Sequence, residues 1–418
     1  MSIKRIALAY SGGLDTSVAV KWLGDAYGAQ VVAIAIDVGE EKNYQAIRDK
    51  ALTVGAVESH IVDARERFVR EFVFPALRAG AIYNDKYLLA TALARPLIVE
   101  EIVKIAAATG CDAVAHGCTG KGNDQVRFEV GFMALAPELK VIAPAREWGM
   151  TREDEIEYAR VKGVPIPVDL DNPYSTDVNL WGRSCECGVL EDPNASPPAG
   201  AYEWTADPLT APDHPERVEI GFEQGLPVSL NGFTMGPVDL IAHLNVIAGR
   251  HGVGRCDVLE DRLVGIKSRE IYECPAGTVL FAAHQDLEHL TLDKDTLEFK
   301  RGVAQRYAQV VYNGLWHGTL RPHLDAFVAS TQANVSGTVR VRLHKGSAVV
   351  EGRASAQALY RKDLATYDKG DAYDHTAAVG FIGIWGLPTK ISAALAASAA
   401  PQSGKLTVLM PPTLASPE

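Results

Sequence analysis

The apolar positions of this chain fall first into short continuous runs and only later into alternating ones. Ile6-Ala7-Leu8 and Val31-Val32-Ala33-Ile34-Ala35-Ile36 are unbroken, the pattern of strands covered on both faces of a parallel sheet. His60-Ile61-Val62-Asp63, Ala113-Val114-Ala115-His116-Gly117 and Val141-Ile142-Ala143-Pro144 add three shorter runs. Between them, Val18 to Leu23 and the segments 41–54, 64–79 and 95–109 carry apolar residues at three- and four-residue spacing, which predicts helices. Strand and helix alternate over about 145 residues. That alternation predicts an α/β fold, a doubly wound parallel sheet whose ligands lie beyond the C-terminal ends of its strands.

From about residue 165 the pattern changes. Pro165, Pro167, Pro173, Pro193, Pro197, Pro198, Pro208, Pro212 and Pro215 break the chain into turns and short extended pieces. Beyond them the sequence predicts a strand or two in 217–230, a helix from Gly236 to Gly249, extended pieces at Asp257 to Ser268 and Thr278 to Ala283, and a long helical region over 286–316. Val335 to Val350 reads as an antiparallel pair turning near Lys345-Gly346, with Val339, Val341 and Leu343 opposite Arg340, Arg342 and His344. This half is α+β. Residues 376–400 then supply Phe381-Ile382-Gly383-Ile384-Trp385-Gly386 and an Ala/Leu/Ile helix, and Pro401 to Glu418 reads as a weakly ordered tail. The expected divisions are 1–165, 166–375 and 376–418. A terminal apolar helix packs either on another subunit or back on its own domain, and the pattern leaves both open.

With 418 residues, 47% hydrophobic and 22% charged, the chain has the composition of a soluble globular protein with two or three domains. Its net charge of -11 argues against gripping nucleic-acid phosphates or anionic membranes and favours small-molecule partners. Six cysteines, at 111, 118, 185, 187, 256 and 274, and a start that runs straight into a strand point to reduced thiols and a cytoplasmic protein. No run approaches the roughly 18 to 20 apolar residues of a membrane helix.

The candidate chemistry begins at Ala9-Tyr10-Ser11-Gly12-Gly13-Leu14-Asp15-Thr16-Ser17, between the first predicted strand and the first helix. Glycines there let main-chain N–H groups approach a ligand, and Ser11, Thr16 and Ser17 add hydroxyls. Unsatisfied N–H groups at the helix start favour an anion. The spelling fits neither a Walker A loop nor a dinucleotide fingerprint. It resembles the PP-loop of ATP pyrophosphatases, which split ATP between the α and β phosphates and hold the departing pyrophosphate. A second stretch, His116 to Glu129, carries three glycines in six residues and offers Thr119, Lys121, Asn123, Asp124 and Arg127. Both charges and both hydrogen-bond senses suit a zwitterion. Other features carry less. Cys185-Glu186-Cys187 has no partner pair for zinc, His284 to His289 misses metalloprotease spacing by one residue, and His243 and His251 show no evident partner carboxylate.

Together the two stretches closely resemble the argininosuccinate synthetase family. Tyr87-Leu88-Leu89, Leu93-Ala94-Arg95-Pro96, Asn179 to Ser184, His251 to Arg255, Lys267-Ser268-Arg269, Tyr373-Asp374-His375 and Gly380-Phe381-Ile382 extend the resemblance over nearly the whole chain. It implies a PP-loop nucleotide-binding domain, a synthetase domain and a C-terminal oligomerisation arm. It also implies ligation of citrulline to aspartate with ATP and Mg²⁺, through citrullyl-AMP, by a homotetramer, with no protein nucleophile. ATP is then expected at Ala9 to Ser17, Ile36 and Gly117; aspartate at Thr119, Asn123 and Asp124; citrulline at Tyr87, Ala92, Asn123, Arg127, Ser175, Ser184, Glu260 and Tyr272. Ser11, Asp15, Asp124 and Arg127 are the expected positioning groups. Two positions depart from the family: Ala92 stands where a serine is usual, and Ile36 where a small residue often occurs. The alternatives are another adenylating ligase of the same superfamily or a catalytically silent nucleotide-binding homologue.

Overall fold

The computed structural model describes residues 3–165 and 174–399. Pro167, Pro173 and the tail from Pro401 to Glu418 lie outside the described residues. The chain divides into two compact units, 1–359 and 360–418.

The first unit opens with β1 (Arg5–Ala9), α1 (Leu14–Tyr27), β2 (Gln30–Asp37), α2 (Tyr44–Val54) and β3 (Glu58–Asp63). There follow α3 (Arg65–Phe68), a π-turn at Val69–Val73, α4 (Phe74–Ala79), α5 (Ala90–Ala108), β4 (Ala113–Ala115), α6 (Asn123–Leu135), β5 (Lys140–Ile142), α7 (Pro144–Glu147) and α8 (Arg152–Lys162). The five strands pair parallel in the order β3-β2-β1-β4-β5. Alternate residues of each run enter different cores: Ile6, Leu8, Val31 and Ala33 pack with α1, while Ala7, Val32, Ile34 and Val114 pack with α5 and α6. The runs are therefore apolar throughout because neither face meets water. β1 has β2 on one side and β4 on the other, so the order reverses there and a crevice opens at the C-terminal ends of β1 and β4.

α5 starts five residues before the expected position 95, after Leu89 in a left-handed conformation at φ 63°. Pro96 lies inside it; with no N–H, it leaves the Ala92 carbonyl without its helical donor. Leu93, Leu97, Val99, Ile102 and Ala106 are all buried, and that packing outweighs the proline.

The chain continues through β6 (Ser175–Asn179), β7 (Gly182–Glu186), β8 (Glu216–Glu223), β9 (Leu226–Leu230), β10 (Phe233–Thr234), α9 (Pro237–Arg250), β11 (Arg255–Asp261) and β12 (Lys267–Glu273). α10 (Pro275–Thr291), α11 (Lys294–Tyr312), α12 (Leu320–Gln332), β13 (Gly337–His344) and β14 (Ser347–Ala354) complete the unit. Two antiparallel sheets result, β11-β12-β7-β6 and β10-β9-β8-β13-β14. Thr278 to Ala283, expected to be extended, is helical within α10: Pro275 sits in its first turn, and Ala276, Val279, Leu280, Ala283 and Leu287 bury one face. The spacing, not the β-branched and aromatic content, decides. The long helical region expected over 286–316 is broken near residue 292, where Asp293 accepts from Thr296 N at 3.0 Å and caps α11. His251 does have a carboxylate partner, Glu216 at 3.0 Å, which sequence distance concealed.

The second unit holds α13 (Lys362–Ala365), α14 (His375–Trp385) and α15 (Leu387–Ala399). Asp374 caps α14 through Thr376 N and Ala377 N, and Phe381, Ile382, Ile384 and Trp385 are exposed. Among the described residues no single helix is long and apolar enough to cross a membrane; α14 and the stretch Leu387–Ser398, bent by 45°, pass that test only together.

Candidate active site

The loop between β1 and α1 is shaped by Gly12, whose φ of +80° an L side chain rarely adopts. Lys50 from α2 donates to the Gly12 carbonyl at 2.8 Å. Ser11 and Thr16 hydroxyls lie 3.1 Å apart, and the Ser17 hydroxyl is 3.1 Å from Tyr10 Oη in the core. Gly13 ends the loop, leaving the N-terminus of α1 open with no side-chain cap. The free N–H groups and the helix dipole there attract an oxyanion.

The loop after β4 comes close to it. A Cβ on Gly117 would lie 3.1 Å from Thr16 Cγ2, so a side chain there would make Thr16 give way by a few tenths of an ångström, and glycine lets the two loops approach without that shift. His116, fully buried, accepts the Cys118 N–H at Nδ1 (3.2 Å) and faces Glu129 through Nε2 at 3.3 Å, which fixes the loop start. Burial pushes the Cys118 thiol well above its usual range, so it is no nucleophile. At the start of α6, Asp124 accepts from Arg95 Nε (2.9 Å) and Nη2 (2.7 Å) and from Arg127 Nη1 (2.9 Å). Burial alone would raise its pKa, but the two guanidiniums win and hold it at about 2. Arg95 also meets Asp177 of β6 at 2.5 Å. Asn123 is committed at both ends: Oδ1 accepts Leu263 N at 2.8 Å and Nδ2 donates to Tyr312 Oη at 2.9 Å.

The opposite wall is one face of the sheet β11-β12-β7-β6. Register pairs Tyr272 with Ser184, Ser184 with Asp177, Glu186 with Ser175 and Glu260 with Ser268. Because side chains alternate along a strand, Glu260, Arg262, Ser268, Glu270, Tyr272, Ser184, Glu186, Ser175 and Asp177 share that face, and all of them line one cavity of about 1000 Å³ that reaches back to the glycine loop. Tyr272 Oη contacts Glu260 Oε1 and lies 2.7 Å from Glu270 Oε2. Tyr312 Oη donates to Glu260 Oε2 at 2.6 Å. Burial, reinforced by Glu270, raises Glu260 to about 7. Burial and Glu270 raise Glu186 to about 7 as well, against the pull of Arg262.

The cavity thus joins an anion-binding helix start to a wall carrying both arginine and carboxylate groups. The family models for the arginosuccinate synthase N-terminal HUP domain and the arginosuccinate synthase C-terminal domain match residues 5–165 and 174–392. The argininosuccinate synthases of Halalkalibacterium halodurans and Symbiobacterium thermophilum are each 59% identical to the chain, over 391 and 401 residues, which cover 94% and 96% of this chain and 95% and 100% of theirs. The chain belongs to the argininosuccinate synthase family. Of the residues expected from that family, Ala9, Tyr10, Ser11, Gly13, Leu14, Asp15, Thr16, Ile36 and Gly117 line the cavity beside the glycine loop. Thr119, Asn123, Asp124, Arg127, Ser175, Ser184, Glu260 and Tyr272 line it farther on.

Gly12, Ser17, Tyr87 and Ala92 are not among the lining residues: Gly12 bends the loop, the Ser17 hydroxyl is buried against Tyr10, and Tyr87 and Ala92 stand behind the wall. Tyr87 stacks on Tyr272 with ring centres 4.0 Å apart and accepts from Thr91 N at 3.1 Å and Ala92 N at 3.3 Å. Ala92 is 1% exposed, whereas its neighbour Thr91 reaches the cavity. Arg95, Asp177, Glu186, Arg262 and Glu270 line the cavity of this argininosuccinate synthase relative although none of them was assigned to a substrate from the sequence. The signal was available for three of them, since Glu186, Arg262 and Glu270 lie two residues from Ser184, Glu260 and Tyr272 on the same strands or their ends.

Proposed function

We propose that the chain joins citrulline to aspartate at the expense of ATP, forming argininosuccinate and releasing AMP and pyrophosphate. The observation that carries this reading is the single cavity in which the glycine loop, the Arg95–Asp124–Arg127 cluster and the carboxylate-bearing sheet face meet. ATP lies with its β and γ phosphates on the N–H groups of the glycine loop and the hydroxyls of Ser11 and Thr16, and the α-phosphate faces the cavity. The ureido oxygen of citrulline attacks that phosphorus, the bond to the bridging oxygen breaks, and pyrophosphate leaves into the positive end of α1. The amine of aspartate then attacks the activated carbon and expels AMP. Positioning and charge stabilisation suffice for both steps. Asp124 keeps Arg95 and Arg127 apart and aimed, and the two arginines receive substrate carboxylate or ureido oxygen. Asp15, which lines the cavity at the loop, is the carboxylate that would face a nucleotide-bound Mg²⁺, and that ion would neutralise charge on the phosphates.

Pyrophosphate and AMP release from ATP and Mg²⁺, with citrulline and aspartate added singly and together and the product identified by mass, tests the reading. Turnover only with both amino acids, yielding argininosuccinate, supports it; ATP binding without turnover refutes it in favour of a silent homologue. The same proposal includes a homotetramer built through α14 and α15, whose exposed Phe381, Ile384 and Trp385 need covering. Truncation at residue 376 is expected to give smaller species in sedimentation, and an unchanged assembly would refute that part.

A further inference from the structure

Two adjacent carbonyls of the loop after β4 are each held by a side chain from outside the loop. Gln125 of α6 donates from Nε2 to the Gly120 carbonyl at 2.6 Å, and its own Oε1 accepts from Arg146 of α7 at 2.9 Å. Arg262, just past the end of β11, donates from Nη1 to the Lys121 carbonyl at 3.3 Å, across 141 residues of sequence. A peptide plane is rigid, so a bond at each carbonyl fixes the tilt of two successive peptides between Thr119 and Asn123.

The arginine is itself held for this task. Its Nη2 meets Glu186 of β7 and lies 3.4 Å from Glu270 of β12, which leaves Nη1 for the loop. Its backbone closes the turn between β11 and β12: Arg262 N donates to the Ile266 carbonyl and Gly265 N to the Arg262 carbonyl, both at 2.9 Å, with Gly265 at a φ of +87°. The next residue adds a second bridge, Leu263 N to Asn123 Oδ1 at 2.8 Å. The neck of this hairpin therefore grips the segment 121–123 by one side chain and one main-chain N–H.

We propose that Arg262 is a positioning residue for aspartate: standing in the wall opposite, it sets the shape of the loop on which aspartate is expected. The inference rests on the reading of the function above. Thr119, Asn123 and Asp124 flank the held peptides, so a loop released at Lys121 loses its fit to aspartate, while the strand pairing that carries Ser184 and Tyr272 stays in register. The bond is charge-assisted but open to water on the loop side, which puts its loss at the lower end for a charged hydrogen bond, about tenfold in affinity. Lysine at 262 separates this role from charge balance. It keeps one positive charge beside Glu186 and Glu270, but its single nitrogen lacks the fork that serves a carboxylate and a carbonyl at once.

The test is calorimetric titration of aspartate into wild type, Arg262→Lys and Arg262→Met, each saturated with Mg²⁺, α,β-methylene-ATP and citrulline, with steady-state KM values and amide hydrogen exchange over 117–122 measured alongside. Both variants should bind aspartate about tenfold more weakly and exchange faster in 117–122, and in R262K the KM for citrulline should stay within about twofold of wild type. Aspartate binding by R262K within about twofold of wild type, or an equal loss for citrulline and aspartate, overturns the inference and leaves the function standing. Loss of the fold in both variants marks Arg262 as structural and overturns it as well. Absence of both aspartate binding and argininosuccinate formation in the wild-type protein overturns the function reading and the inference together.

Discussion

Replacing Glu155 by glutamine should stabilise the protein at alkaline pH and have little effect in mild acid. Glu155 lies on α8, 9% exposed, against Asp15 in the first turn of α1, and its Oε2 has no hydrogen-bond partner. Burial first and Asp15 second push its carboxyl from 4.5 up to about 8, with Arg152 opposing. Below pH 4.5 the acid is protonated in both folded and unfolded chains. Between there and about 8 the unfolded chain ionises while the folded chain keeps its proton, so stability falls as pH rises through that window. At about 1.4 kcal/mol per pH unit the whole shift would cost about 5 kcal/mol; water reaches part of the pair, so about 2 kcal/mol is expected. Glutamine cannot ionise, and its amide still donates to Asp15. Urea unfolding of wild type and E155Q in parallel should therefore show the variant more stable by about 2 kcal/mol at pH 8.5 and by less than about 1 kcal/mol at pH 5.5. A difference independent of pH, or a variant less stable at pH 8.5, would refute the reasoning.

Three further outcomes are expected. Ala92→Ser should change KM for citrulline by less than about threefold, because the side chain is buried behind Tyr87 and Thr91 faces the cavity; a gain near the 1.5 to 3 kcal/mol of a charged hydrogen bond would show that a hydroxyl there reaches substrate. Lys50→Met removes the 2.8 Å bond to the Gly12 carbonyl and should raise KM for ATP about fivefold, the equivalent of about 1 kcal/mol, without moving KM for citrulline; equal shifts in both constants would contradict a loop-specific role. Glu273→Ala removes the acceptor of Glu203 N, Trp204 N, Thr205 N and the Thr205 hydroxyl and leaves the buried Arg183 without one of its partners; a stability loss of about 3 to 5 kcal/mol is expected, and a thermal midpoint unchanged within a degree would count against it.

The sequence by itself determined the parallel sheet, the loop after its first strand, the antiparallel pair near the end of the first unit and the family. These are local properties: a glycine's torsional freedom, a helix start and a run covered on both faces are written in adjacent residues. Where local content and spacing disagreed, as at Thr278 to Ala283, content misled because burial of Val279, Leu280, Ala283 and Leu287 on one helical face decided the outcome. The charge pattern of the site was decided by tertiary structure alone. Arg95 meets Asp177 across 82 residues, Asn123 meets Tyr312 across 189, and Tyr312 meets Glu260 across 52. Strand alternation states that Glu270 lies on the face of Tyr272, but not that β11 will set Glu260 against the same hydroxyl. Periodicity fixes which residues of one element point together; only packing between elements fixes which charges meet, and the burial produced there moves the carboxyl groups of Glu186 and Glu260 toward neutrality.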